Sequence, residues 1–207
     1  MFENVADAKD LDALLALRAR TDPLASDRIG PALQIPPGER VYGPGAGYVM
    51  APSAYPSPAG PRFGPPALRA PAFGVYSAAR DEATAVAEVK HHRIAFLEAT
   101  RAPAQDLDFE VLNASVRGAH FYDLRDRQRE FKAVYSPTDY SSSQKLGADL
   151  REKGADGIAY DSVRREGGEC VAVLRPRCVG PCRPVKHLIF RWDGELITAV
   201  LEVHPLG

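Results

Sequence analysis

The chain has 207 residues, 45% of them hydrophobic, with a formal net charge of -1. That is enough apolar material for one core, and too little basic excess for a general polyanion binder. Three cysteines, all late in the chain, do not make a disulfide framework, and no apolar run approaches the roughly 18 residues of a membrane span.

Asp7 to Arg20 reads as an amphipathic helix, with Leu11, Leu14, Leu15 and Leu17 at helical spacing. It offers a face to the body of the protein, to a partner, or to a second copy. The first residues lack the basic-then-apolar order of a secretory leader, so a reducing cytoplasm is the expected compartment. "PGERVYG" reads as a short strand, followed by a loop over 43–72 that is dense in Pro and Gly. Loops this long inside compact domains are commonly functional.

Phe73 to Ser77 predicts a strand, and Asp81 caps a helix running to about His92. "IAFLEAT" and "LDFEVLN" read as strands. Ser142 or Ser143 begins a helix that Gly154 stops. "GIAYDS" and "ECVAVLRP" are strands around the turn "RREGG", and two apolar runs around Asp193-Gly194 form a hairpin. These elements predict an α+β domain of mixed, mostly antiparallel sheets with flanking helices. Residues 1–38 form an N-terminal helical segment and 39–207 a single globular unit.

Several motifs fail on spacing. "GPGAGY" is not G-x-G-x-x-G, and no crossover helix follows it. Cys170, Cys178, Cys182 and His187 lack a C-x-x-C pair, so free thiols are preferred to a metal site. His91 and His92 read as a helix end, favoured by the dipole. No G-x-S-x-G surrounds Ser162. "RGAHFYDLRDRQREFK" interleaves acids with its arginines and reads as a solvated face, not a nucleic-acid patch.

Glu88 stands among Ala and Val near the predicted end of its helix. Most such glutamates face water. Its company argues otherwise: Arg40, Arg62 and Ser162 sit beside turns, and Tyr76 lies on the strand feeding its helix. Arginine forks suit phosphate or carboxylate, and a flat ring suits stacking. These residue types fit a small, anionic, aromatic, ribose-containing ligand.

The same residues carry a family resemblance. An early Arg40-Val41-Tyr42, an "RF" segment after the Gly/Pro-rich loop, "VYSA" leading into "TAVAEV", and "GADGIAYDSVRREGGECVAVLRP" occur in that order. From about Arg40 to Pro176 the chain resembles the RES domain. The resemblance implies a fold similar to the ADP-ribosyltransferases of the diphtheria-toxin kind. It implies a toxin of a bacterial toxin–antitoxin pair that consumes NAD as substrate. Such toxins break the nicotinamide–ribose bond and pass the ADP-ribosyl group to water, inorganic phosphate or a protein. An Xre-like helix-turn-helix antitoxin is the implied partner. Arg40, Tyr76, Glu88 and Ser162 match the family's catalytic positions, with Arg62, Phe63 and Tyr42 at the substrate. Two departures stand out: "PRFGPP" replaces Gly-Arg-Trp-Asn, and Val41 separates Arg40 from Tyr42, leaving the primary arginine open between Arg40 and Arg62. A protein-modifying ADP-ribosyltransferase and a non-catalytic nucleotide-binding module are the rival readings. A nuclease lacks a basic groove and a credible His or metal pair.

Overall fold

A computed structural model describes residues 35–54, 60–65 and 74–204. The helix expected over Asp7–Arg20 lies outside them. Within them the chain forms α1 (Ala46–Ala54), β1 (Tyr76–Ala79), α2 (Glu82–Thr100), β2 (Gln105–Asn113), β3 (Phe121–Asp123), α3 (Ser141–Glu152), β4 (Gly157–Asp161), β5 (Glu169–Val173), β6 (Arg183–Trp192) and β7 (Ile197–Val203). The fold is α+β. One sheet has the order β1-β5-β4-β3 and the other β2-β6-β7. All neighbours are antiparallel except β3 and β4, whose parallel pairing needs the crossover that α3 supplies.

Alternation along the first sheet sends successive side chains to opposite faces. Val75, Ile158, Tyr160, Cys170, Ala172 and Leu174 bury against Phe63 and Leu124 on one face. Tyr76 and Val173, which pair in register, bury on the other with Val49, Cys178 and Cys182. Both faces are covered, which is why "GIAY" and "CVAVL" are nearly uninterrupted in apolar residues. The second sheet packs Leu188, Phe190, Trp192 and Ile197 against Leu97 of α2.

Four local expectations change. "PGERVYG" is no strand: Pro37–Glu39 is a 3-10 turn, because consecutive prolines fix φ and lack the N–H a ladder needs. Glu39 is buried there between Arg151 and Arg175. The 43–72 stretch is not all loop: Ala46–Ala54 is helical, anchored by the fully buried Val49. "IAFLEAT" is not a strand but the second half of α2. Nothing breaks the helix after His92, and Val86, Ile94 and Leu97 share the face packed on the second sheet. It ends at Arg101 in the left-handed region, two residues before Pro103, so His91 and His92 stand in mid-helix, away from the dipole end. The terminal hairpin turns through Asp193–Leu196 rather than two residues, with Asp193 Oδ1 accepting from the Glu195 and Leu196 N–H groups.

The strand expected over Phe73–Ser77 is shifted to Tyr76–Ala79, and the remaining elements follow the sequence closely. Asp81 caps α2, its Oδ1 accepting from Thr84 N at 2.9 Å. Helix α3 starts after Tyr140, and Gly154 at φ 85° stops it.

Candidate active site

The capped start of α2 is pinned to the β4–β5 turn. Arg165 Nη1 donates to Thr84 Oγ1 at 3.0 Å, and Gly168 lies so near that a Cβ there would be 2.7 Å from the same oxygen. Only glycine admits this approach. The pinning sets the helix's rotation, and Ala85, Glu88, Val89 and His92 then form one stripe at helical spacing. They line a cavity of about 180 Å³. Among the described residues, Ser77, Ala78 and Ala79 of β1, Tyr160 of β4, Cys170 of β5, and Pro61, Arg62 and Tyr140 add its other walls.

Glu88 is held at one oxygen. Ser162 Oγ lies 2.6 Å from Glu88 Oε1 and accepts from the backbone N–H groups of Arg164 (3.0 Å) and Arg165 (3.1 Å). With both lone pairs used, the hydroxyl proton is directed at the carboxylate. The Cys170 thiol also points at Oε1, at 3.9 Å. Burial, then the Glu88 charge, pushes that thiol up to about 12, so it remains a protonated donor. Among the described residues nothing donates to Oε2, which leaves one carboxylate oxygen for a ligand.

Arg62 is buried, with Nη1 donating to Val134 O at 2.8 Å and Nη2 to Ser136 O at 3.1 Å. Its guanidinium carbon lies 4.5 Å from the centre of the Tyr140 ring. Arg164 Nη2 reaches Tyr140 Oη at 3.4 Å and also bonds the Pro137 carbonyl.

The structure thus brings together Glu88, Ser162 and Arg62. Phe63 is next to the site as core, edge-on to Tyr160 at 4.9 Å. Three other sequence candidates lie elsewhere. Arg40 donates from Nε to Ile35 O. Tyr42 lines a second cavity of about 210 Å³ with Val49, Cys182 and Arg183. Tyr76 faces the opposite side of its sheet, its hydroxyl 3.8 Å from Cys182 Sγ. Among the described residues, the arginine lining the Glu88 cavity is therefore Arg62 and not Arg40. Tyr140, Arg164 and His92 were not singled out as site residues from sequence. Only His92 carried a signal, standing four residues after Glu88.

Over residues 39–193 the chain matches the family model described as the RES domain. The chain belongs to the RES-domain family. The matched span runs from the buried Glu39 to the turn after β6, so it contains every described residue that lines the Glu88 cavity. Compared with the curated proteins, this RES domain has no match. Membership is consistent with an NAD-related module of a toxin–antitoxin pair. No helix among the described residues is long and apolar enough to cross a membrane.

The two histidines beside the RES-domain cavity carry a pH signature. Burial first, then Arg164, holds His91 below the ordinary histidine value; burial, then His91, does so for His92. The unfolded chain takes up these protons near pH ~6.5, where the folded protein resists them. The unfolded state then binds more protons, so stability is lost as pH falls below that point. Carboxylates titrate mainly below about pH 4, outside this window. The melting temperature should fall between pH ~7 and ~5.5, and the double variant His91→Gln, His92→Gln should flatten that slope. Equal slopes in thermal melts would refute the assignment.

Proposed function

We propose that this RES domain cleaves the nicotinamide–ribose bond of NAD, as a glycohydrolase or phosphorylase, and that a cognate helix-turn-helix antitoxin silences it in the cytoplasm. The observation that carries the reading is Glu88, fixed at one oxygen by Ser162 and open at the other in a cavity with an aromatic and cationic wall.

The leaving nicotinamide starts as a pyridinium, so it needs no acid to depart. The C–N bonding pair goes to the ring nitrogen, and positive charge develops at ribose C1′ and its ring oxygen. A fixed carboxylate at that point stabilises the transition state more than the ground state. The free oxygen of Glu88 meets that requirement, and it can also take a ribose hydroxyl as donor. The acceptor oxygen, from water or phosphate, then bonds C1′ and its proton passes to solvent. Ser162 acts through Glu88 by holding its orientation. The cavity is smaller than the usual ligand pocket of about 300–1,000 Å³, and accordingly takes the nicotinamide–ribose end of the dinucleotide rather than the whole of it.

The test is a time course of NAD with purified protein, with and without phosphate, products resolved by mass. Free nicotinamide with ADP-ribose, or with its phosphorylated form, names the enzyme and the acceptor. Intact NAD under both conditions would overturn the reading and turn attention to a protein acceptor.

A further inference from the structure

We propose that Tyr140 is the ring surface on which the leaving nicotinamide rests, and that Arg62 and Arg164 are positioning residues that hold this ring and keep its end of the cavity positive. The inference rests on the reading of the Glu88 cavity as the site of NAD cleavage.

Among the described residues, the cavity has two aromatic phenols, Tyr140 and Tyr160. Tyr160 is buried in the core, packed edge-on by Phe63. Tyr140 is half-exposed, with its hydroxyl and one face already engaged. Its backbone is fixed as well: its carbonyl accepts from Gln144 N at 2.8 Å and Ser143 Oγ at 2.9 Å at the start of α3. The segment before it is held through the carbonyls of Val134, Ser136 and Pro137, all bonded to the two arginines. A rigid ring fastened from several sides is a preorganised platform.

The arginines also do something to charge. Neither forms an ion pair with Glu88 among the described contacts; both gather at Tyr140. Burial and then His91 hold the neighbouring His92 ring below the ordinary histidine value, and the field of the two arginines acts in the same direction. A pyridinium on Tyr140 would be repelled by these positive surroundings, and neutral nicotinamide would not. Bond cleavage moves the positive charge away from that wall and toward the carboxylate of Glu88. The two ends of the cavity therefore favour the same displacement of charge, which is differential binding of the transition state.

Nicotinamide and ADP-ribose, each titrated separately by saturation-transfer NMR onto the full chain, test the platform without requiring turnover. Tyr140→Phe keeps the ring and should bind nicotinamide within about twofold of wild type, whereas Tyr140→Leu should weaken it about 10-fold. ADP-ribose affinity should be unchanged in both. Tyr140→Leu binding nicotinamide like wild type, or losing both ligands equally, would overturn the proposal. Should Tyr140→Leu fail to fold, Arg164→Gln decides: kcat for NAD falls with KM not raised, and Arg164→Lys restores it. A raised KM at unchanged kcat would instead mark Arg164 as a phosphate holder and overturn its role. A wild type that cleaves NAD while Tyr140→Leu keeps nicotinamide sinks this inference alone. A wild type that neither cleaves NAD nor binds either product sinks the underlying reading as well.

Discussion

Replacing Glu88 by Gln should lower kcat for NAD consumption by about 10²–10³-fold while KM stays within about threefold. The side chain is isosteric, and Ser162 Oγ, now 2.6 Å from Oε1, can still donate to an amide oxygen. Geometry is kept and only the negative charge is lost. That charge acts where the ribosyl cation develops, so the loss appears in the transition state and not in substrate binding. The protein should melt at the wild-type temperature, which separates a chemical defect from a folding one. Steady-state kinetics by nicotinamide release checks it, and full activity in Glu88→Gln would end the assignment. Ser162→Ala should be milder in kcat yet worse for stability, because the N–H groups of Arg164 and Arg165 lose their acceptor.

Gly147→Ala should destabilise the fold by about 2 kcal/mol, although it places a better helix former inside α3. In an exposed helix the exchange would stabilise by about 1 kcal/mol. Here an added Cβ would lie 1.9 Å from the Phe63 carbonyl oxygen and 2.7 Å from its carbon. These are backbone atoms beside a fully buried ring, so nothing flexible can yield. Overpacking of this kind costs about 3 kcal/mol, which exceeds the gain in propensity. For a chain of this size the net loss is a fall of about 4–8 °C in melting temperature. The strain lands one residue from Arg62, so NAD turnover should fall as well, in contrast to a propensity change on the solvent face of α3. An unchanged or raised melting temperature would show that the 60–65 segment can move away from the helix.

Both predictions depend on a close approach between segments distant in sequence, and that is where sequence reading stops. Patterns confined to a few neighbouring residues were legible. Asp81 announced the start of α2 because its side chain meets an N–H three residues on. Gly154 announced the end of α3 because a positive φ suits glycine. The strands around "RREGG" were legible through their β-branched and apolar runs. Glu88 and Ser162 stood out by motif order, and the fold places them 2.6 Å apart.

Other features had no local signal. The length of α2 is not legible locally because "IAFLEAT" fits either period, and only packing of Ile94 and Leu97 on the second sheet decides for helix. Alternation says that Tyr76 and Ser77 face opposite ways, but both faces of that sheet are covered, so nothing local says which one meets the cavity. The tertiary structure places Ser77 in the wall of the Glu88 cavity and turns Tyr76 toward Cys182. Tyr140 lies in a stretch without periodicity, and its place comes from Arg62 and Arg164, 78 and 24 residues away along the chain. By itself the sequence determined the α+β class and the caps and turns, since these rest on backbone conformations and short spacings, whereas the bond between Glu88 and Ser162 joins residues far apart in the chain and comes from the fold. Which ring and which arginine share the cavity was decided only in three dimensions, because side-chain direction there depends on how two buried faces and one pinned helix pack together.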